Sequence, residues 1–119
     1  MAAQNIVILI HAAPHGSERC LSGLRVAGAL AGRGDIASVR VFLMSDATVA
    51  ALPHQSDGAA NMISALVQEL VVAGCPVLLC KTCAAARGLL QLPLMEGVAI
   101  GTLANLGDWV VEADKVLTF

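Results

Sequence analysis

The expected fold and chemistry are both decided by residues 77–88, whose sequence is Val77-Leu78-Leu79-Cys80-Lys81-Thr82-Cys83-Ala84-Ala85-Ala86-Arg87-Gly88. The short apolar run from Pro76 to Cys80 predicts a buried strand that ends on a cysteine. A three-residue turn and then a short helix are predicted to follow, with the helix beginning at Thr82 or Cys83 and ending at Gly88. Half of the chain's four cysteines lie in this stretch. We therefore expect sulfur chemistry, with the remaining chain as a scaffold that holds the thiols at an open edge.

Outward from this stretch, apolar strand segments alternate with helical ones. Residues 5–10 are almost wholly apolar and β-branched, which is typical of a parallel strand buried on both faces. Further strands are predicted at 39–44, 98–100 and 115–119. Helices are predicted from an N-cap at Ser17 to about residue 32, at 47–52, at 61–73, and from residue 105 or 107 to 113. This alternation predicts an α/β fold over residues 1–119: a single-domain three-layer sandwich, with about five mostly parallel strands and helices on both faces.

The composition favours a protein that buries part of its surface against other subunits. Apolar residues make up 57% of the 119 residues and charged residues only 13%, against about a quarter charged in an average domain. Because so few charges cannot cover the surface of a monomer, we expect a homo-oligomer.

Nucleic-acid and membrane partners are not expected. The net charge is −2, Tyr is absent, and the chain has only 2 Phe and 1 Trp, so a basic face or a stacking platform is missing. The longest apolar runs are strand-sized, far below the roughly 18 residues that span a bilayer. The start of the sequence carries no basic residue, and four cysteines in a leaderless chain are more typical of reduced thiols than of disulfides. We therefore expect a cytoplasmic location.

The candidate functional residues follow the carboxyl ends of the predicted strands, where parallel α/β sheets bind their ligands. Four strand ends should bring together His11, Pro14, His15 and Ser17 after the first strand, Ser45 and Asp46 after the second, Cys80, Lys81, Thr82 and Cys83 after the third, and Gly101 and Thr102 after the fourth. From this set His11, His15 and Ser45 are predicted binding residues. The two histidines could carry protons or contact an anion near the thiols, or instead lie at a subunit contact.

Cys80 and Cys83 are the candidate catalytic residues. A thiol becomes reactive when it is partly exposed and when nearby positive charge or a helix N-terminus stabilises its thiolate. Lys81 and Arg87 would supply positive charge, and with Thr82 they complete the predicted binding residues. The alternative is that Cys80 is a buried strand residue and Cys83 a small residue that fills the turn. Cys20 and Cys75 are expected to be packing residues.

The C-x-x-C spacing of Cys80 and Cys83 also occurs in zinc sites and in disulfide reductases. A structural zinc site needs four ligands, and there is no second C-x-x-C; Cys75 would lie about 15 Å from Cys80 along the strand. His11 and His15 could complete a site only across loops. A thioredoxin-type motif normally follows the first strand and opens a long helix, whereas this pair follows the third strand. We therefore expect no metal and no cofactor.

The sequence resembles the DsrE/DsrF-like family, which includes the TusD-type sulfur-relay subunits, over nearly the whole chain. The resemblance rests on three segments: Val-Phe-Leu-Met-Ser-Asp at 41–46, Cys-Lys-Thr-Cys-Ala-Ala-Ala-Arg-Gly at 80–88, and Ala-Asp-Lys-Val-Leu-Thr-Phe at 113–119. The block at 80–88 is the most specific of the three.

This resemblance implies a small α/β domain that assembles into trimers or hexamers. In the family's sulfur-relay members, a cysteine accepts a persulfide sulfur from a donor protein and passes it to an acceptor protein, and that cysteine corresponds to Cys80. Cys83 departs from the single-cysteine relay pattern. Two functions therefore stay open: an intracellular persulfide carrier with a sulfurtransferase-type role, or a non-catalytic oligomeric binding or scaffold protein with reduced cysteines.

Overall fold

In the residues that the structure describes, five strands pair into one sheet and all of these pairings are parallel. The computed structural model describes residues 2–55 and 62–119. The sheet has the order β4-β3-β2-β1-β5, with the strands β1 Gln4–Ile10, β2 Ile36–Leu43, β3 Val77–Cys80, β4 Ala99–Gly101 and β5 Lys115–Thr118. The helices between them are α1 Arg19–Leu30, a 3-10 helix Ser45–Ala51, α2 Ile63–Val72, α3 Lys81–Ala86 and α4 Leu103–Glu112. The predicted α/β fold with mostly parallel strands is confirmed.

The two faces of the sheet are covered by different helices, which gives three layers. Because side chains alternate along a strand, Ile6, Ile8 and Ile10 share one face and pack in a buried cluster with Leu24 of α1 and Val67 of α2. The three isoleucines belong to the continuous apolar run at residues 5–10, which is typical of a buried parallel strand.

The opposite face carries Phe42, which is fully buried. The ring of Trp109 from α4 meets it edge-on at a centroid separation of 6.1 Å, and the Arg40 guanidinium lies 5.8 Å from the centre of the Trp109 ring. The only tryptophan of the sequence therefore packs α4 against the sheet.

The carboxyl end of β3 lies between two neighbouring strands. Leu79 is in register with Leu43 of β2 and with Ile100 of β4, and Cys80 is in register with Gly101. A side chain at Gly101 would clash, because its Cβ would lie 2.9 Å from Cδ1 of Leu78. The glycine thus allows β4 to pair closely beside the cysteine-bearing strand.

Several predicted boundaries were wrong by a few residues, each for a local reason. The N-cap position of α1 is Glu18 and not Ser17, although the Ser17 hydroxyl accepts a 3.5 Å hydrogen bond from the Arg19 amide. Strand β2 begins at Ile36, three residues before its predicted start, because its pairing with β1 extends to that residue.

Helix α4 begins at Leu103 because Thr102 and Asn105 form a capping box, whereas its predicted start was at residue 105 or 107. The helix predicted at 61–73 is observed as Ile63–Val72, and the predicted start at residue 61 lies outside the described residues. None of the helices in residues 2–55 and 62–119 is long and apolar enough to span a bilayer.

Candidate functional site

The site is built on the junction between β3 and α3, where Cys80 belongs to both elements. Cys80 is the last residue of β3 and the N-cap of α3, with extended dihedral angles of φ −61° and ψ 118°. Helix α3 then begins directly at Lys81. The three-residue turn predicted between strand and helix was therefore wrong, because a single extended residue is enough to redirect the chain. Cys83 becomes the third residue of the helix, one turn above Cys80.

The Cys80 thiol has a hydrogen-bond partner in Thr82. Its Sγ lies 3.3 Å from Oγ1 of Thr82. Burial by itself would raise the pKa of the Cys80 thiol, but hydrogen bonds from the Thr82 and Cys83 side chains and from the backbone of both residues outweigh it, so that its pKa is lowered. Because these donors favour the charged form, the structure stabilises a thiolate at the end of β3.

The two thiols differ in their accessibility. Cys80 is only 1% exposed, whereas Cys83 is partly exposed. The expected open edge is therefore formed by Cys83 and by the exposed Lys81 and Thr82, with Cys80 beneath them. A molecule that approaches this edge of the chain reaches Cys83 before Cys80.

Arg87 follows the last residue of α3 and holds this helix in place from its carboxyl end. Its Nε donates to Oδ1 of Asp46 at 2.9 Å, and its Nη1 donates to the carbonyl oxygen of Cys83 at 3.1 Å. These contacts join the last turn of α3 to the 3-10 helix that follows β2. The residue predicted to stabilise an anion thus has a positioning role in the described contacts.

Ser45 lies where β2 passes into the 3-10 helix, and its backbone has the left-handed φ of 51°. Such a conformation costs a non-glycine residue about 1 kcal/mol or more. It is held by the fully buried Thr48, whose hydroxyl donates to the Ser45 carbonyl at 2.7 Å. Asp46, the next residue, pairs with Arg87.

His11 directly follows β1. It lies at the same edge of the sheet as Cys80, but beside the end of β5. Its amide donates to the carbonyl of Phe119 at 2.9 Å, and its carbonyl accepts from the amide of Ala47 at 3.1 Å. The residue lines an open cavity of about 540 Å³ with Arg19, Thr118 and Phe119. Since β2 separates β1 from β3, about two strand spacings of 4.8 Å each lie between the ends of these strands.

His15 is oriented by Gln55, in a contact that no local sequence pattern indicates. The Gln55 Nε2 donates to the carbonyls of Val49 and Leu52 at 2.6 and 3.0 Å. Its Oε1 therefore accepts the 2.9 Å hydrogen bond from Nε2 of His15. This arrangement places the ring proton on Nε2 and leaves Nδ1 as the acceptor of a neutral His15.

Cys20 and Cys75 are buried among apolar side chains. Burial raises the pKa of Cys20 to about 11 and raises the pKa of Cys75 as well. Both residues therefore have the properties of packing residues, in contrast to Cys80. In the part of the chain that the structure describes, His, Cys, Asp and Glu side chains form no group of three that could hold a metal ion.

Comparisons with known proteins give one consistent result. The sequence profile of the DsrE/DsrF-like family matches residues 4–119. The chain is 47% identical over 116 residues to Protein YchN of Escherichia coli K12, covering 98% of this chain and 99% of that protein. An uncharacterized protein of Methanopyrus kandleri is 32% identical, covering 96% of this chain and 93% of that protein.

The fold also matches a solved structure. The crystal structure of the YchN protein from E. coli superposes with a TM-score of 0.92 at 46% identity, covering 98% of this chain and 99% of that one. A match of this coverage extends over all five strands and the junction between β3 and α3.

Proposed function

This chain belongs to the DsrE/DsrF-like family, which includes sulfur-relay members, and we propose that it is a persulfide carrier in which Cys80 holds the sulfur. The observation that carries the proposal is the hydrogen-bonded position of the Cys80 thiol, whose Sγ lies 3.3 Å from Oγ1 of Thr82. Burial alone would raise the pKa of this thiol, but its hydrogen bonds lower it. The thiolate is the nucleophilic form of cysteine. Donors from Thr82 and Cys83 that stabilise it can also stabilise a persulfide anion at the same place.

The proposed reaction conserves thiols and sulfane sulfur. In the net reaction the bond between the donor's two sulfurs breaks, the outer sulfur becomes bonded to Cys80, and the donor leaves as a thiolate. Delivery breaks the bond from that sulfur to Cys80 and joins the sulfur to an acceptor thiol. A thiol of lower pKa is the better leaving group, so the same hydrogen bonds favour delivery. Lys81 is exposed directly after Cys80, at the edge where donor and acceptor proteins would approach. Arg87 contributes by holding α3 in place through Asp46.

The test is the amount of sulfane sulfur that the protein retains. The chain is treated with glutathione persulfide, freed of excess reagent, and assayed with cyanide, which converts sulfane sulfur to thiocyanate. Wild type and the Cys75→Ala control should retain one sulfur atom per chain, and Cys80→Ser should lose most of it. The proposal fails if wild type retains none or if Cys80→Ser retains as much as wild type.

We also propose that the carrier works as a homo-oligomer, a trimer or hexamer, in the cytoplasm, with separate donor and acceptor proteins. Large apolar side chains are exposed on the single chain, with Val72 at 81% and Val111 at 87%. Burial of such surface favours self-association. Light scattering should give a mass of at least three chains, and a monomeric mass would contradict the proposal.

A second candidate is a non-catalytic oligomeric binding or scaffold protein with reduced cysteines. The 1% exposure of Cys80 favours it, since buried cysteines commonly act as small apolar residues. Alkylation rate against pH separates the two functions. A carrier should show an apparent pKa of Cys80 below that of a model thiol, whereas a scaffold should show a value at or above it.

A further inference from the structure

We propose that Cys83 receives the sulfur from the donor and passes it inward to Cys80, so that the two cysteines act in sequence. This inference rests on the carrier function proposed above, and it assigns the receiving step to a residue that the single-cysteine relay pattern lacks. Two observations support it: the exposure of each thiol and the placement of the two cysteines one helical turn apart.

The exposure of the two thiols decides which one a donor can reach. Attack on a persulfide requires the thiolate to approach the outer sulfur from the side opposite the leaving sulfur, so access controls the rate. Cys80 is 1% exposed, and β4 pairs beside it with Gly101 in register. A sulfur enclosed in this way reacts much more slowly with the cysteine of another protein than an exposed one does. Cys83 is partly exposed and lies only one helical turn from Cys80.

The placement of the two cysteines gives the sulfur a route inward. Cys80 occupies the N-cap and Cys83 the third helical position of α3. Residues at these two positions lie beside each other in the first turn of a helix, and the Cys83 side chain contributes to lowering the pKa of the Cys80 thiol. The sulfur therefore needs no third side chain to carry it from one cysteine to the other.

The transfer proceeds in two balanced displacements. The Cys83 thiolate first bonds to the outer sulfur of the donor persulfide, the bond between the donor's two sulfurs breaks, and the donor leaves as a thiolate. The Cys80 thiolate then attacks the same outer sulfur, the bond from that sulfur to Cys83 breaks, and Cys83 leaves as a thiolate. Protons redistribute among the thiols, and no external oxidant or reductant is consumed.

The inward position protects the bound sulfur. A persulfide on exposed Cys83 is open to attack by small thiols, whereas one on Cys80 lies beneath the surface next to the Thr82 hydroxyl. The same two steps in reverse return the sulfur to Cys83 for an acceptor. Cys83 is thereby the exchange thiol for both partners and Cys80 the storage thiol.

The experiment follows loading over time with glutathione persulfide, using wild type, Cys83→Ser and Cys80→Ser. Samples are trapped by alkylation at short intervals, and fragmentation of the peptide that contains residues 80 and 83 locates the sulfur. Wild type should accumulate sulfur on Cys80, Cys83→Ser should load Cys80 more slowly by about tenfold or more, and Cys80→Ser should show sulfur on Cys83 at early times only. Loading of Cys80 at the wild-type rate in Cys83→Ser overturns the inward transfer but leaves the carrier function intact.

Two further outcomes are distinguishable. Absence of sulfur on wild type overturns the carrier function and this inference together. A disulfide between Cys80 and Cys83 with release of hydrosulfide shows attack on the inner sulfur, which overturns the transfer. A measurement on wild type alone guards against misfolded variants: brief iodoacetamide treatment should modify Cys83 before Cys80, and the reverse order contradicts the inference.

Discussion

Arg87 and Asp46 join the helix that carries Cys83 to the end of the neighbouring strand. The Nε of Arg87 donates to Oδ1 of Asp46 at 2.9 Å, while Nη1 of the same guanidinium donates to the carbonyl of Cys83 at 3.1 Å. One side chain thus satisfies a carbonyl in the last turn of α3 and fixes the helix against the 3-10 helix. The geometry of the thiols depends on this pair, although neither residue is bonded to Cys80 in the described contacts.

Arg87→Ala should therefore loosen α3 more than it destabilises the whole fold. A partly exposed ion pair contributes at most about 1 kcal/mol, so the free energy of unfolding in urea should fall by about that amount. Iodoacetamide should at the same time modify Cys80 faster, because the helix above it opens more often. Arg33→Ala is the matched control, since Arg33 pairs with Asp35 far from the site. An equal gain in Cys80 modification in the control would contradict this role.

Thr82→Val should raise the pKa of Cys80. The substitution keeps the side-chain shape but removes the hydroxyl whose oxygen lies 3.3 Å from Sγ, and that hydrogen bond is one of the causes that lower the pKa. The alkylation profile of Cys80 should shift to higher pH, and retention of sulfane sulfur should fall. Thr82→Ser keeps the hydroxyl and should behave as wild type; an unshifted profile in Thr82→Val would count against the role of Thr82.

Stability should fall at alkaline pH because of Cys20. Burial raises the pKa of its thiol from 9.0 to about 11, so between these values the folded state keeps a proton that the unfolded state has lost. The contribution of Cys20 to the free energy of unfolding is therefore fully present below pH 9.0. It is lost as the pH rises through this window, by about 3 kcal/mol at most. Cys80, whose pKa is lowered, acts in the opposite direction. Urea unfolding at several pH values should show a weaker decline in Cys20→Ala, and an identical decline would refute the assignment.

Gly101→Ala should destabilise the edge of the sheet beside Cys80. The added Cβ would lie 2.9 Å from Cδ1 and 3.1 Å from Cβ of Leu78, and overpacking of this kind costs about 1–3 kcal/mol. Gly28→Ala is the control, because a Cβ there meets nothing within 4 Å and alanine is favoured over glycine in a helix by about 1 kcal/mol. Thermal unfolding should show a lower Tm for the first variant and an equal or higher Tm for the second. A tolerated Gly101→Ala would mean that β4 is free to move away from β3.

The fold could be predicted from the sequence because its strands are continuous apolar runs, and residues 5–10 and 76–80 have the length and composition of strands in a buried parallel sheet. The start of α3 could not be predicted, since the residue that caps it is Cys80 itself and cysteine gives no capping signal. The start of α4 was missed for a related reason: Thr102 caps it with Asn105, where a Glu or Gln is the usual partner.

The sheet edge could be predicted from the sequence, but which of the two thiols is the more exposed could not. Cys80, Thr82 and Cys83 are neighbours in the sequence itself, and the rule that strand ends share an edge adds Asp46, which Arg87 contacts at 2.9 Å. Which thiol is covered depends on β4, a strand of only three residues whose close pairing requires Gly101. The contact of His15 with Gln55 joins positions 40 apart in the chain, and no local pattern indicates it.

The most direct test of the carrier function is to locate the sulfur on the wild-type protein. After loading with glutathione persulfide and alkylation, the intact chain is weighed and its cysteine peptides are fragmented. The account predicts that the chain gains a single sulfur atom and that this atom is on Cys80 at steady state. A chain without added sulfur, or one that carries it on Cys20 or Cys75, would contradict the account.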